Sequence, residues 1–157
     1  MKNLFFLTLI LLFVSCNYNL VNKWENYDES EEIKTNATIE NKRLQFKRIQ
    51  SISNDKNQLI NGFEREIFNF LENEYDLTKE LVNEKSIPEI QQSVIDGKLT
   101  YYKLSLFYLT RIYLIEFDKE SYLNSIISIN KNILREAKNK DKIKNTNIYS
   151  LHGIPIL

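Results

Sequence analysis

The hydrophobic pattern of this chain changes character several times between residues 1 and 157. Residues 4–14 are apolar throughout except for Thr8, and Lys2 supplies a positive charge before them. Eleven residues are too few for a bilayer core that needs about twenty, but they suit a signal-peptide core of about 7–15. Polar residues dominate from Asn17 to about Thr38, where Trp24 and Tyr27 stand among Asn, Glu, Asp and Lys. This stretch reads as a solvated spacer. The carboxylates of Asp28, Glu29, Glu31 and Glu32 fit that reading better than a paired acid–base site, because nothing beside them would desolvate them.

Periodic order begins near Lys42. Leu44 and Phe46 alternate with Arg43, Gln45 and Lys47, which predicts a short strand over residues 43–49. Asn54-Asp55-Lys56-Asn57 breaks it. Ile60, Phe63, Ile67 and Leu71 recur at helical spacing, and Leu77 and Leu81 stand four apart in a second helix. The sharpest helix start is Ser86-Ile87-Pro88-Glu89. Ser86 can cap, Glu89 can reach back to it, and Pro88 falls in the first turn where its missing N–H costs little. That helix should stop at Asp96-Gly97, since glycine suits the left-handed position that ends a helix.

Thr100 opens the next helix, which extends to about Phe117. Tyr101, Leu104, Phe107, Tyr108, Ile112 and Ile115 line part of its circumference, and Leu106, Leu109, Tyr113 and Leu114 fill other faces. A helix apolar nearly all round is buried on several sides, so these aromatics read as core. The apolar run 123–129 predicts a buried strand. Asn130 can cap a short helix carrying Ile133, Leu134 and Ala137. Lys138, Lys140, Lys142 and Lys144 alternate with Asn and Asp in a solvated loop. Residues 151–157 then form a second apolar strand.

Composition narrows the chemistry. Twenty-one basic and twenty-one acidic side chains cancel, so no electrostatic field favours nucleic acid. A single Cys and a single His leave neither a disulfide framework nor an all-protein zinc site, and no cofactor is expected. The one cysteine, Cys16, follows Ser15 directly at the end of the apolar run. Phe13-Val14-Ser15-Cys16 resembles a bacterial lipobox. The resemblance implies cleavage before Cys16, lipidation of its thiol, export to the cell envelope, and a membrane as partner. The sequon Asn36-Ala37-Thr38 carries little weight in such a protein.

Four further segments carry a second resemblance. They are SIPEIQQSVIDGKLT from Ser86 to Thr100, Tyr108-Leu109-Thr110-Arg111-Ile112, LNSIISIN from Leu123 to Asn130, and LHGIPIL from Leu151 to Leu157. In this order they resemble the amino-terminal region of amidase signature enzymes. The resemblance implies an α/β fold: N-terminal helices and first strands of a mixed sheet flanked by helices, truncated and mainly helical as it stands. It implies hydrolysis of carboxamides by a Ser–cisSer–Lys unit, with a small amide as substrate of the full-length parent. The family's lysine falls shortly past Leu157 and both serines lie further on, so no catalytic residue is assigned. Ser125, Ser128 and Ser150 match neither serine, and His152 leads into the strand without a catalytic role.

The expected organisation is a signal peptide over residues 1–15, a polar tether over 16–41, and an incomplete amidase domain over 42–157. A short membrane-anchored lipoprotein serving as a helical binding module is the alternative.

Overall fold

The computed structural model describes residues 23–46 and 55–156. The apolar run 4–14, Cys16, residues 47–54 and Leu157 lie outside the described residues, and the expectations placed on them lie there too. Among the described residues six α-helices form: α1 (Ser30–Ala37), α2 (Glu64–Asn73), α3 (Tyr75–Val82), α4 (Ile87–Ile95), α5 (Tyr101–Glu116) and α6 (Ile133–Asp141). Two short 3-10 turns, Lys42–Leu44 and Lys56–Gln58, complete the regular structure.

Helix α5 is the axis. It packs against α2, α3 and α6, while α4 leans on α3. Nine of its sixteen residues are buried, among them Leu104 and Phe107 with no exposed surface. A side chain the size of Phe107 contributes about 1.5–3 kcal/mol on full burial. Ile67 and Phe70 of α2, Val82 of α3 and Ile90 of α4 join the same core.

Helix boundaries follow local chemistry. The main-chain N–H of Ser86 donates to Glu89 Oε2 at 2.8 Å, completing the capping box foreseen at α4. Gly97 takes φ +73° just past the end of α4. The Thr100 hydroxyl accepts from Lys103 N at 3.1 Å at the start of α5. A second cap arrives from far along the chain. Asp141, last residue of α6, accepts from Tyr101 N at 2.7 Å and Tyr102 N at 3.1 Å. Two of the four amides that a helix start leaves open are thereby satisfied by an anion at the positive end of the dipole.

The expected α/β architecture is corrected here: the fold is helical, and no strand forms among the described residues. Each expected strand fails for an identifiable reason. At 43–46 the Asn41 side chain caps a 3-10 turn, and Leu44 and Phe46 are left exposed. Over 123–129 the backbone runs without a ladder. The amides of Asn124 and Ser125 donate to the Glu116 carboxylate at 2.9 Å each, and Asn124 sits at φ +52°. Over 151–156 a turn at His152-Gly153 interrupts the run, with Ile154 N donating to Leu151 O. Helix side chains take several of the backbone groups that a neighbouring strand would pair.

Smaller differences concern which residue faces inward. Leu77 is 69% exposed, and α3 turns Thr78 and Val82 to the core instead. Asn132, not Asn130, stands at the start of α6; Asn130 Oδ1 accepts from Asn132 N. The lysine-rich stretch is partly helical, since α6 carries Lys138 and Lys140 through to Asp141. The polar spacer holds α1, which buries none of its residues.

Candidate functional site

An apolar groove of about 910 Å³ runs along one side of α5. Its floor is Tyr108, Ile112 and Ile115, and the two extended segments wall it with Ile126 and Ile129 on one side and Ile154 on the other. Arg111, Glu116, Ser125 and Ser128 supply its polar margin. Polar contacts on either side fix the two walls in place.

The first is built on Gln91, fully buried although it lies on the surface helix α4. Its Nε2 donates to the carbonyls of Ser150 at 2.7 Å and His152 at 2.9 Å. Its Oε1 accepts from the Tyr101 hydroxyl at 2.7 Å. Every donor and at least one acceptor site of the amide is therefore engaged, as burial of such a group requires. Gly153 is shaped to the same contact. A Cβ added there would fall 2.4 Å from the Tyr101 ring, and its φ of +71° already disfavours any side chain. The Gly153→Ala variant should cost about 1–3 kcal/mol, the range of a strained left-handed residue, and loosen residues 150–156 first. Faster amide exchange confined to that segment is the expected signature; unchanged exchange would count against this packing.

The second is a buried ion pair. Lys56 Nζ donates to the main-chain oxygen of Glu116 at 2.9 Å and to its Oε2 at 3.2 Å. Both side chains are almost completely enclosed, at 7% and 2% exposure. The ammonium also lies 4.2 Å from the Trp24 ring and 4.4 Å from the Tyr122 ring, and those rings meet edge to face at 4.7 Å. Such cation–π contacts contribute about 0.5–2 kcal/mol, more where water is excluded. Burial pushes the Glu116 carboxyl up, but the Ser125 amide and hydroxyl and the Lys56 ammonium outweigh it and leave it below its ordinary value.

Trp24 is held by its backbone as well. Its N–H donates to Asn57 Oδ1 at 2.8 Å, and Asn57 Nδ2 donates to its carbonyl at 2.9 Å. Asp55 stiffens this corner by accepting from Asn26 Nδ2 and from the amide and side chain of Asn57. Those bonds, the one from Asn26 foremost, hold the Asp55 carboxyl down to about 2.

Chemically this arrangement holds the groove walls in position. The Ser125 hydroxyl donates to Glu116 Oε1 at 2.9 Å, so the carboxylate already accepts from Asn124 N, Ser125 N, Ser125 Oγ and Lys56. An anion so fully engaged is a poor proton acceptor. His152 lies outside the groove lining, with its ring edge-to-face on Tyr101 at 5.3 Å. Ser150 Oγ accepts from His152 N at 3.0 Å, a local turn contact. Among the described residues no cluster of three or more His, Cys, Asp or Glu could hold a metal ion. No helix among them is long and apolar enough to cross a membrane.

No family model, curated protein or solved structure matches this chain. The functional reading therefore rests on the residues themselves. Sequence reasoning missed both polar contacts. A signal for one was present: Glu116 follows Leu109 and Tyr113 at spacings of seven and three, on a helix face that is otherwise buried. A charge in that register needs a buried partner. Nothing in the local sequence identifies Lys56, sixty positions earlier, as that partner.

Proposed function

We propose that the chain is the N-terminal portion of an amidase-family hydrolase, held at a membrane by acyl chains on Cys16. The observation that supports this is a contact. Gln91 from Ser86–Thr100, Tyr101 at the head of the following helix, and Gly153 with the carbonyls of Ser150 and His152 interlock in one place. The third segment, 123–130, walls the groove that the last one borders. Pieces that resemble the family only as separate strings of sequence are thus neighbours in space. In this reading residues 23–156 position the groove wall, and the parent's own serines and lysine perform acyl transfer with a backbone oxyanion site.

Assayed on chromogenic and aliphatic amides, the 157-residue chain should match the blank. The loss of a nucleophile–base unit together with its oxyanion donors costs many orders of magnitude. Turnover abolished by replacing Ser125, Ser128 or Ser150 would overturn the proposal. Reading the coding DNA past codon 157 gives the complementary test. An in-frame Lys-Asp-Asn followed by a Gly/Ser-rich loop is the expected result.

The open groove favours a second reading, a lipid-anchored helical module whose apolar channel binds a partner. Its core of Leu59, Ile67, Phe70, Leu104 and Phe107 is closed within the described residues. A sharp two-state unfolding transition from a monodisperse monomer would favour the module.

A further inference from the structure

Trp24, the second described residue, is firmly held to the helical body. Lys56 lies over the indole, Asn57 grips the main chain on both sides, and Tyr122 stacks edge-on against the ring. Exposed apolar side chains stand beside it: Tyr122 is 46% exposed and Leu123, next in the chain, 69%. The exposed charges here lean acidic, with Asp55, Asp118 and Glu120 on the same segments. The Lys56 ammonium is buried against Glu116, and Lys119 lies 3.9 Å from Glu25. Cys16 precedes Trp24 by eight positions, so their separation is at most about 3.3–3.6 Å per residue, under about 30 Å in total.

We propose that the face formed by Trp24, Tyr122 and Leu123 rests in the interface of a phospholipid bilayer. The assignment rests on the lipid-anchor part of the reading above. A body tethered within this distance of Trp24 meets the bilayer first with the surface surrounding that residue. That surface carries the side chains that favour the headgroup level, where an aromatic ring is half in hydrocarbon and its polar edge stays hydrated. Because the patch has no net basic charge, apolar and aromatic contact holds it there, with no need for attraction to anionic lipid. The buried Lys56–Glu116 pair acts as a positioning latch, fixing the indole so that the domain adopts one tilt on the membrane.

Trp24 is the single tryptophan of the chain and reports on this face alone. The full chain should be produced with its own signal, its acylation verified by an alkynyl fatty acid label, and the protein reconstituted into phosphatidylcholine vesicles. Lipids brominated high on the acyl chain should quench most of the Trp24 emission. Molar salt should not release the quenching, and added anionic lipid should not strengthen it. A Leu123→Asp variant, altered at a 69% exposed position outside the ring contacts of Trp24, should remain anchored and lose most of the quenching. Labelled, vesicle-bound protein whose Trp24 stays unquenched would overturn the assignment while leaving the anchor intact. Protein that takes up no acyl label would overturn the anchor and the assignment with it. Quenching that falls as surface density rises, with cross-linking through Tyr122, would replace the bilayer by a second copy of the chain.

Discussion

Replacing Glu116 by alanine is expected to destabilise the protein by about 3–5 kcal/mol, the usual result of breaking a buried ion pair from one side. The loss exceeds that of an ordinary surface glutamate because Lys56 is left charged in an enclosed site. The amides of Asn124 and Ser125 lose their acceptor at the same time. Chemical denaturation of the full chain would measure the shift, and Trp24 emission should move to the red as its cation and Tyr122 withdraw. The double replacement Lys56→Met, Glu116→Leu should recover much of the loss, since apolar substitutes of similar volume often match a buried pair. A single-site cost within 0.5 kcal/mol, the usual range for surface positions, would mean that the pair is solvated.

The same pair makes the corner at Trp24 acid-sensitive. The carboxyl of Glu116 lies below its ordinary 4.5 in the folded protein, so its contribution is fully present above 4.5 and is lost as pH falls through the lowered value. Asp55 follows the same sign. Its contribution is complete above 3.8 and fades as pH falls through about 2. Acid titration of Trp24 emission should therefore stay flat above pH 4.5 and change only below it.

The second large effect is expected at Gln91. Leucine is close in size but leaves the carbonyls of Ser150 and His152 and the Tyr101 hydroxyl without their partner. Each such group costs about 1–3 kcal/mol where water cannot reach it, so several kcal/mol are at stake if the segment stays docked. The cheaper response is for residues 150–156 to lift away and hydrate. We expect a modest loss of global stability with a large loss of amide protection in this segment. Glutamate at the same position should behave alike, because it accepts where two donors are needed. Full protection of residues 150–156 in Gln91→Leu would show that the apolar contacts of Ile154 suffice.

Helices were legible because their signals are local. Ser86 and Glu89, Gly97, and Thr100 each act within four residues of the boundary they set. The near-complete apolar circumference of α5 likewise announced a central helix, and the core lies on it. The expected strands misled for the opposite reason. An apolar run such as 123–129 records only that its side chains avoid water; a strand also needs a neighbour for its amides and carbonyls. Here Glu116 takes the amides of Asn124 and Ser125, and Gln91 takes the carbonyls of Ser150 and His152.

The sequence by itself determined where α4 and α5 begin and end, and it set α5 as the apolar axis. It also placed one cysteine directly after an apolar run, beyond the reach of the described structure. Only the tertiary structure decided that the two apolar runs become groove walls and not a ladder. It alone joined Lys56 to Glu116 across sixty positions, and Gln91 to His152 across sixty-one. Helix caps and turns are short-range and can be read from neighbouring residues. A buried charge or amide is satisfied by whichever group packing brings to it, and that partner has no fixed spacing along the chain.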